Sequence, residues 1–177
     1  MQPRFSYPEE SSLRLDGLSW AEGSLVWPHP APPLLAERAE MVGSIVPDWA
    51  IVAAHTAGWV YTGMGRAEPW ALYAPSKPAL SPFQRQQWKP RSGSLPPDEK
   101  ASVRGLTLTH LGRTISDLLT WPGSEESAAC QLYTLATPES LGDALNMVTL
   151  TAVSRSRART RRALVEQWWR DYPLVTR

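Results

Sequence analysis

The chain holds one cysteine, Cys130, three histidines and two phenylalanines in 177 residues. A single cysteine excludes an intramolecular disulfide and a cysteine-built structural zinc site, and it fits a reducing compartment. No run approaches the roughly 18 apolar residues of a membrane span. The opening "MQPRFSYPEE" lacks the apolar stretch of a secretory signal. A cytoplasmic protein with no membrane partner is therefore expected. Gly-rich signatures are missing too: GxSxG, a phosphate loop and GxGxxG are absent, and "TGMGR" has too few glycines for a cradle. His29, His55 and His110 have no second ligand-type residue at metal spacing. His55 lies in an apolar stretch, where a satisfied, partly buried imidazole is expected. A metal-dependent nuclease needs an Asp set apart from an acid-x-Lys triplet on a second strand, whereas in "PPDEK", residues 96–100, the acids and the lysine run together, with Glu99 and Lys100 adjacent. The segment reads as a polar loop. The expectation is a non-enzymatic protein with no catalytic residue, cofactor or metal.

What is abundant is tryptophan and proline. Nine tryptophans run from Trp20 to Trp169, which points to wide packing rather than one aromatic cluster. Seventeen prolines are about twice the usual share and gather in loops such as "PHPAPP" and "LPPDEK". The hydrophobic share of 42% is enough to fill a core. The length suits one domain, or one domain with a short appendage. The net charge is +1 but segregated. Residues 1–48 carry three basic and seven acidic groups, residues 49–143 eight of each, and residues 144–177 seven basic and two acidic. An acidic head and a basic tail make a polar field.

Residues 1–33 read as a hairpin or wing-like appendage, with turn signals at Asp16-Gly17 and Glu22-Gly23. Residues 34–177 read as an α+β domain. Residues 34–46 have helical spacing, and Asp48 is placed to cap a second, apolar helix, "WAIVAAHTAGWVY". "PWALYAP", "RQQWKPR" and "KASVRGLTLTH" read as strands. The period then changes. "LGRTISDLLTW" sets Ile115, Leu118 and Leu119 on one helical face and stops at Pro122-Gly123. "SEESAACQLYTLA" starts with a Ser-x-x-Ser near-box, and Thr137-Pro138-Glu139 opens a further helix. "RSRARTRRALVEQWWRDY" forms a long final helix. The fold class is α+β: a small mixed sheet with packed helices, a helical C-terminal half and a short N-terminal hairpin. A helix carrying Ala53, Ala54, Ala57 and Val60 is expected to lie buried on a sheet containing Leu72 and Leu106.

"SRSRARTRR", residues 154–162, packs five arginines into nine residues, and no acid lies between Asp143 and Glu166. On a helix Arg155, Arg159 and Arg162 fall at i, i+4 and i+7 and form a stripe. Arg161 lies beside them, and Arg157 lies about 160° from Arg159. Like charges repel, and burying an unpaired guanidinium is unfavourable. The stripe is thus expected to face outward, with Leu164, Val165 and Trp168 turned inward. It is either a solvated face or a surface for phosphate or an acidic protein. Trp169 is either partly exposed beside a packed Trp168 or an interface anchor. The candidate nucleic-acid or partner-binding residues are Arg155, Arg157, Arg159, Arg161, Arg162 and Trp169.

Three segments follow one another in an informative order: "IVAAHTAGWVYTGMG" at 51–65, "PWALYAP" at 69–75 and "GLTLTHLGRTISDLL" at 105–119. The last contains an RTxxDL pattern in Arg113, Thr114, Asp117 and Leu118. Arg113 and Asp117 are i, i+4 and can pair, and Thr114 can bond backward to the helix backbone. As a unit this order resembles the AbiEi family of antitoxins from bacterial type IV toxin–antitoxin systems, in its actinobacterial form. The resemblance is best over 51–121 and extends only in layout to 34–50 and 122–165. It implies an antitoxin that neutralises a cognate nucleotidyltransferase toxin. Family members often also bind their own promoter DNA through an N-terminal winged helix-turn-helix. Residues 1–33 depart from that pattern, because they supply a wing-like hairpin without the preceding helices. A DNA-binding transcriptional regulator without a toxin partner is the alternative.

Overall fold

The computed structural model describes residues 33–74, 80–147 and 151–172, together with the backbone of 20–22 and 25–27. Strands β1, Trp20–Glu22, and β2, Leu25–Trp27, pair antiparallel, with Trp20 opposite Trp27. This is the short hairpin expected near the N-terminus. Asp16-Gly17 lies outside the described residues. Helix α1, Leu35–Gly43, follows and buries Ala39, Met41 and Val42.

Strand β3, Ile51–Val52, leads into helix α2, Ala54–Thr62. Asp48 therefore caps no helix here, and two residues of the apolar run are sheet. Buried on both faces, that run has no polar alternation to separate strand from helix. Ala54 opens α2 at φ 43°, a left-handed value that costs an L-residue about 1–2 kcal/mol. Strand β4 is Leu72–Ala74. "RQQWKPR" is not a strand: Pro82–Trp88 forms helix α3. Ser81 accepts from the Gln84 backbone while Gln84 reaches back to Ser81, and Pro82 fills the first position. This capping box outweighs the strand-like composition. Strand β5 is only Arg91–Ser92.

"KASVRGLTLTH" folds as two strands, β6, Lys100–Val103, and β7, Leu106–Thr109. Arg104 and Gly105 both have positive φ, 50° and 82°, as a two-residue hairpin turn requires. Helices α4, Leu111–Thr120, α5, Glu125–Leu135, α6, Pro138–Met147, and α7, Ala152–Asp171, complete the chain. The expected caps form: the Ser124 hydroxyl accepts from Ser127 N–H, and Thr137 from Ser140 N–H.

The larger sheet has five strands in the order β5-β4-β3-β7-β6 and is mixed. β3 runs parallel to β7 and antiparallel to β4. Strand alternation divides its residues between two cores. Val52, Leu72, Leu106 and Leu108 join Ala57, Trp59 and Val60 of α2 and the buried side chains of α1. Ile51 and Tyr73 belong with Ala53, Ala54 and Trp121 in another cluster. The small residues of α2 thus pack against the sheet as expected. A separate helical core joins Ile115, Leu118 and Leu119 to Leu132, Leu141, Ala158 and Val165. The architecture is α+β with a helical C-terminal half.

Candidate functional site

Helix α7 separates the arginine cluster into two sets. The Thr151 hydroxyl caps its start by accepting from Ser154 N–H, 3.2 Å away. Arg155, Arg159 and Arg162 are exposed, as their stripe spacing requires. Arg162 pairs with Glu166 at 2.6 Å, an i, i+4 contact along the same outer face. Val165 is buried, and Leu164 and Trp168 pack against the helical core, so the inward face is as expected.

Arg161 and Arg157 do not share that surface. Arg161 is 1% exposed and lies against α4 and the turn after it. Its guanidinium donates to the carbonyls of Leu118, Trp121 and Gly123, and to Glu125 Oε2 at 2.5 Å. Arg157, half-buried, donates to Thr120 O at 2.8 Å and stands 3.8 Å from Glu125. The last carbonyls of an α-helix have no partner within it. Two guanidiniums supply partners here, and Glu125 balances their charge. Burial lowers the Arg161 pKa, against the hydrogen bond and charge of Glu125, which raise it. The physical reason for the inward turn is helix phase. At about 100° per residue Arg161 falls between Ala158, Leu164, Val165 and Trp168. The premise that no acid is available fails, because Glu125 arrives from another helix.

Trp169 is half-buried and packs beside Trp168 against the helical core, the partly exposed position expected of it. Arg155, Arg159 and Arg162 remain as the outward set, about 10 Å along the helix from first to last at 1.5 Å per residue.

A second polar cluster joins the segments that carry the family resemblance. Arg113 Nε lies 3.1 Å from Asp117 Oδ1, the expected pair. Thr114 Oγ1 donates backward to His110 O at 3.1 Å. Two partners come from elsewhere: Tyr73 donates to Asp117 Oδ1 at 2.8 Å, and Glu99 accepts from Arg113 at 2.6 Å. Glu99 therefore belongs to a structural ion pair on the short 3₁₀ turn Pro97–Glu99. Burial pushes the Asp117 carboxyl up, against the Arg113 charge and the hydrogen bonds from Tyr73 and Arg113. Burial also works against charged Arg113, but Asp117, Tyr73 and Glu99 outweigh it and hold that guanidinium above its ordinary value. Asp117 Oδ2 has no hydrogen-bond partner among the described residues. The cluster ties α4 to β4.

Arg113 and Asp117 are legible in the sequence as an i, i+4 pair, but Tyr73 and Glu99, 40 and 14 positions from Arg113, carry no local signal. Trp70 and Trp88 carry no such signal either; they line a cleft with Arg66 and Lys89. Among the described residues no group of three or more His, Cys, Asp or Glu side chains is arranged to hold a metal ion. His29 lies outside those residues. No described helix is long and apolar enough to cross a membrane. No family model, curated protein or solved structure matches the chain.

Proposed function

We propose that the chain is a non-enzymatic, antitoxin-like cytoplasmic protein that neutralises a cognate nucleotidyltransferase toxin. The observation that carries this reading is the division of the arginine cluster. Arg157 and Arg161 are consumed in fastening α7 to α4, and this holds Arg155, Arg159 and Arg162 outward on a supported helix. A charged row on a packed helix is presented without the entropy loss of ordering a loop on binding. An acidic face of an enzyme is a suitable counterpart, and rim charges of this kind chiefly steer association. The resemblance supplies the identity of that enzyme. Its three segments meet in space: β3 lies between β4 and β7, and Arg113 joins Tyr73. Their order in the sequence thus reflects one packed unit.

The test is growth rescue. A nucleotidyltransferase toxin, taken from the gene beside this chain where one is found, is induced in a bacterial host with and without the chain. The chain should restore growth and co-purify with the enzyme, and an Arg155→Ala, Arg159→Ala, Arg162→Ala variant should restore it less. Failure of the wild-type chain to rescue growth rejects the reading. The alternative, a DNA-binding regulator, draws on the positive charge of the same row. It requires salt-sensitive retention of promoter DNA, with the slope flattening by about one unit for each phosphate contact removed.

A further inference from the structure

A cleft of about 820 Å³ opens between the loop 66–70 and the C-terminal end of α3. The volume falls within the range typical of small-molecule sites. Six of its lining residues bear on binding: Arg66, Glu68, Trp70, Gln87, Trp88 and Lys89. Trp70 and Trp88 are half-buried and packed against the first core, which fixes both indoles from behind. Arg66, Gln87 and Lys89 are exposed.

The loop is held in place before any ligand arrives. Thr56, fully buried on α2, donates to Ala67 O at 2.6 Å and accepts from Ala71 N–H at 3.0 Å. His55 bonds to the Pro69 carbonyl. On the opposite wall, Lys89 caps α3 at φ 43°, and its N–H reaches Arg85 O. The walls therefore belong to fixed backbone, which lowers the ordering cost of binding.

The chemistry of the lining selects the ligand. Tryptophan faces stack on planar rings, and stacking of this kind is worth about 1–3 kcal/mol per base. Two cations against the one carboxylate of Glu68 favour an anion over a cation. The Gln87 amide both donates and accepts, as the edge of a base requires. We infer that this cleft binds a nucleoside phosphate, its base against the tryptophans and its phosphate at Arg66 and Lys89. The same chemistry is offered by a free mononucleotide and by the end of a single strand. The inference is independent of toxin neutralisation, since it concerns another surface and is read on the isolated chain.

Isothermal titration of the full chain with AMP, GMP, CMP and UMP, alongside indole N–H chemical shifts, tests it. At least one mononucleotide should bind at up to roughly millimolar concentration and shift two indole signals. Adenosine alone and inorganic phosphate alone should each bind at least about tenfold more weakly, the loss expected when one charge-assisted contact or one stacked base is removed. Trp88→Ala should weaken binding, but it also touches the core. Arg66→Glu with Lys89→Glu changes only exposed side chains and should lower affinity about tenfold or more while the melting temperature stays put. A 5′-phosphorylated trinucleotide that binds more tightly than the mononucleotide identifies the strand end as ligand, and equal binding identifies the free nucleotide; both support the site. The inference is overturned if no mononucleotide or trinucleotide binds. It is also overturned if the double charge reversal leaves affinity unchanged, or if a poly-glutamate peptide competes as well as the nucleotides.

Discussion

Removing the Arg161 side chain would leave the Leu118, Trp121 and Gly123 carbonyls without their donor and deprive Glu125 of a 2.5 Å partner. Breaking a buried pair by deleting one member costs about 3–5 kcal/mol. Glu125 keeps a solvent-facing side, so the lower end, about 3 kcal/mol, is expected for Arg161→Ala. Arg159→Ala, on the exposed stripe, should change stability by less than about 0.5 kcal/mol. Urea denaturation of the two variants measures this contrast, and equal midpoints would show that Arg161 is no clamp. His55 predicts a pH effect. Burial pushes its imidazole below the ordinary value, the Pro69 carbonyl holds it partly up, and the Arg161 charge pushes it down. The folded state thus binds this proton less readily than the unfolded chain. The contribution to stability is present above the unfolded pKa of about 6.5 and is lost as pH falls toward the folded value. Melting temperature should drop between about pH 7 and pH 5, and His55→Gln should shrink the drop. A wild-type profile that rises on acidification through this window would contradict the assignment. The inward position of Arg161 was legible in the sequence, since it stands three residues after Ala158 and four before Val165. Counting charge rather than tracing the apolar face concealed it.

At the scale of elements, arginines complete two helices that end without a basic residue in their last turn. Arg38 of α1 donates to Val60 O and Tyr61 O at the end of α2, and Arg157 and Arg161 do the same for α4. For α7 the arrangement also resolves a conflict. Its arginines crowd the N-terminal half, where the helix dipole disfavours cations. Meeting the carbonyl end of α4 and the Glu125 carboxylate offsets that. The same scale governs the contact of α2 with α5. A Cβ on Gly58 would stand 2.5 Å from Gln131 Oε1, and Gln131 holds the carbonyls of His55 and Met64. Alanine is favoured over glycine within a helix by about 1 kcal/mol, but overpacking costs about 1–3 kcal/mol. Because Gln131 is fixed at both bonds, the steric cost should win, and Gly58→Ala should lower the denaturation midpoint. A raised midpoint would mean that Gln131 moves aside freely. Helices α4 to α7 were readable because each has a cap or breaker and a period of its own. The short strands were not. Two buried residues at Ile51–Val52 show no alternation, and the helix Pro82–Trp88 has no fully buried side chain and packs on the core through Trp88, so no apolar stripe marks it.

Across the whole molecule, charge is distributed so that the C-terminal 34 residues carry seven of the 18 basic groups. Two of those seven, Arg157 and Arg161, are spent inside the fold. The outward row of Arg155, Arg159 and Arg162 has a different thermodynamic character. Replacing all three with alanine removes the interaction that Arg155 makes and the Arg162–Glu166 pair, each worth about 0.3–0.5 kcal/mol on a helix surface, together with their mutual repulsion and their unfavourable setting near the start of α7. These effects oppose each other and are each small, so the triple variant should melt within about 1 kcal/mol of the wild-type chain. Binding should respond differently. Long-range steering depends on the summed field of the row, and its loss slows association. The prediction is a triple variant with an unchanged fold, weaker capture of its partner and a weaker dependence of that capture on salt. Circular dichroism melts and association rates at two ionic strengths distinguish the possibilities. A destabilised variant would place these side chains in the same structural class as Arg161. A stable variant that associates as fast as wild type at both salt concentrations would reduce the row to a solvated helix face.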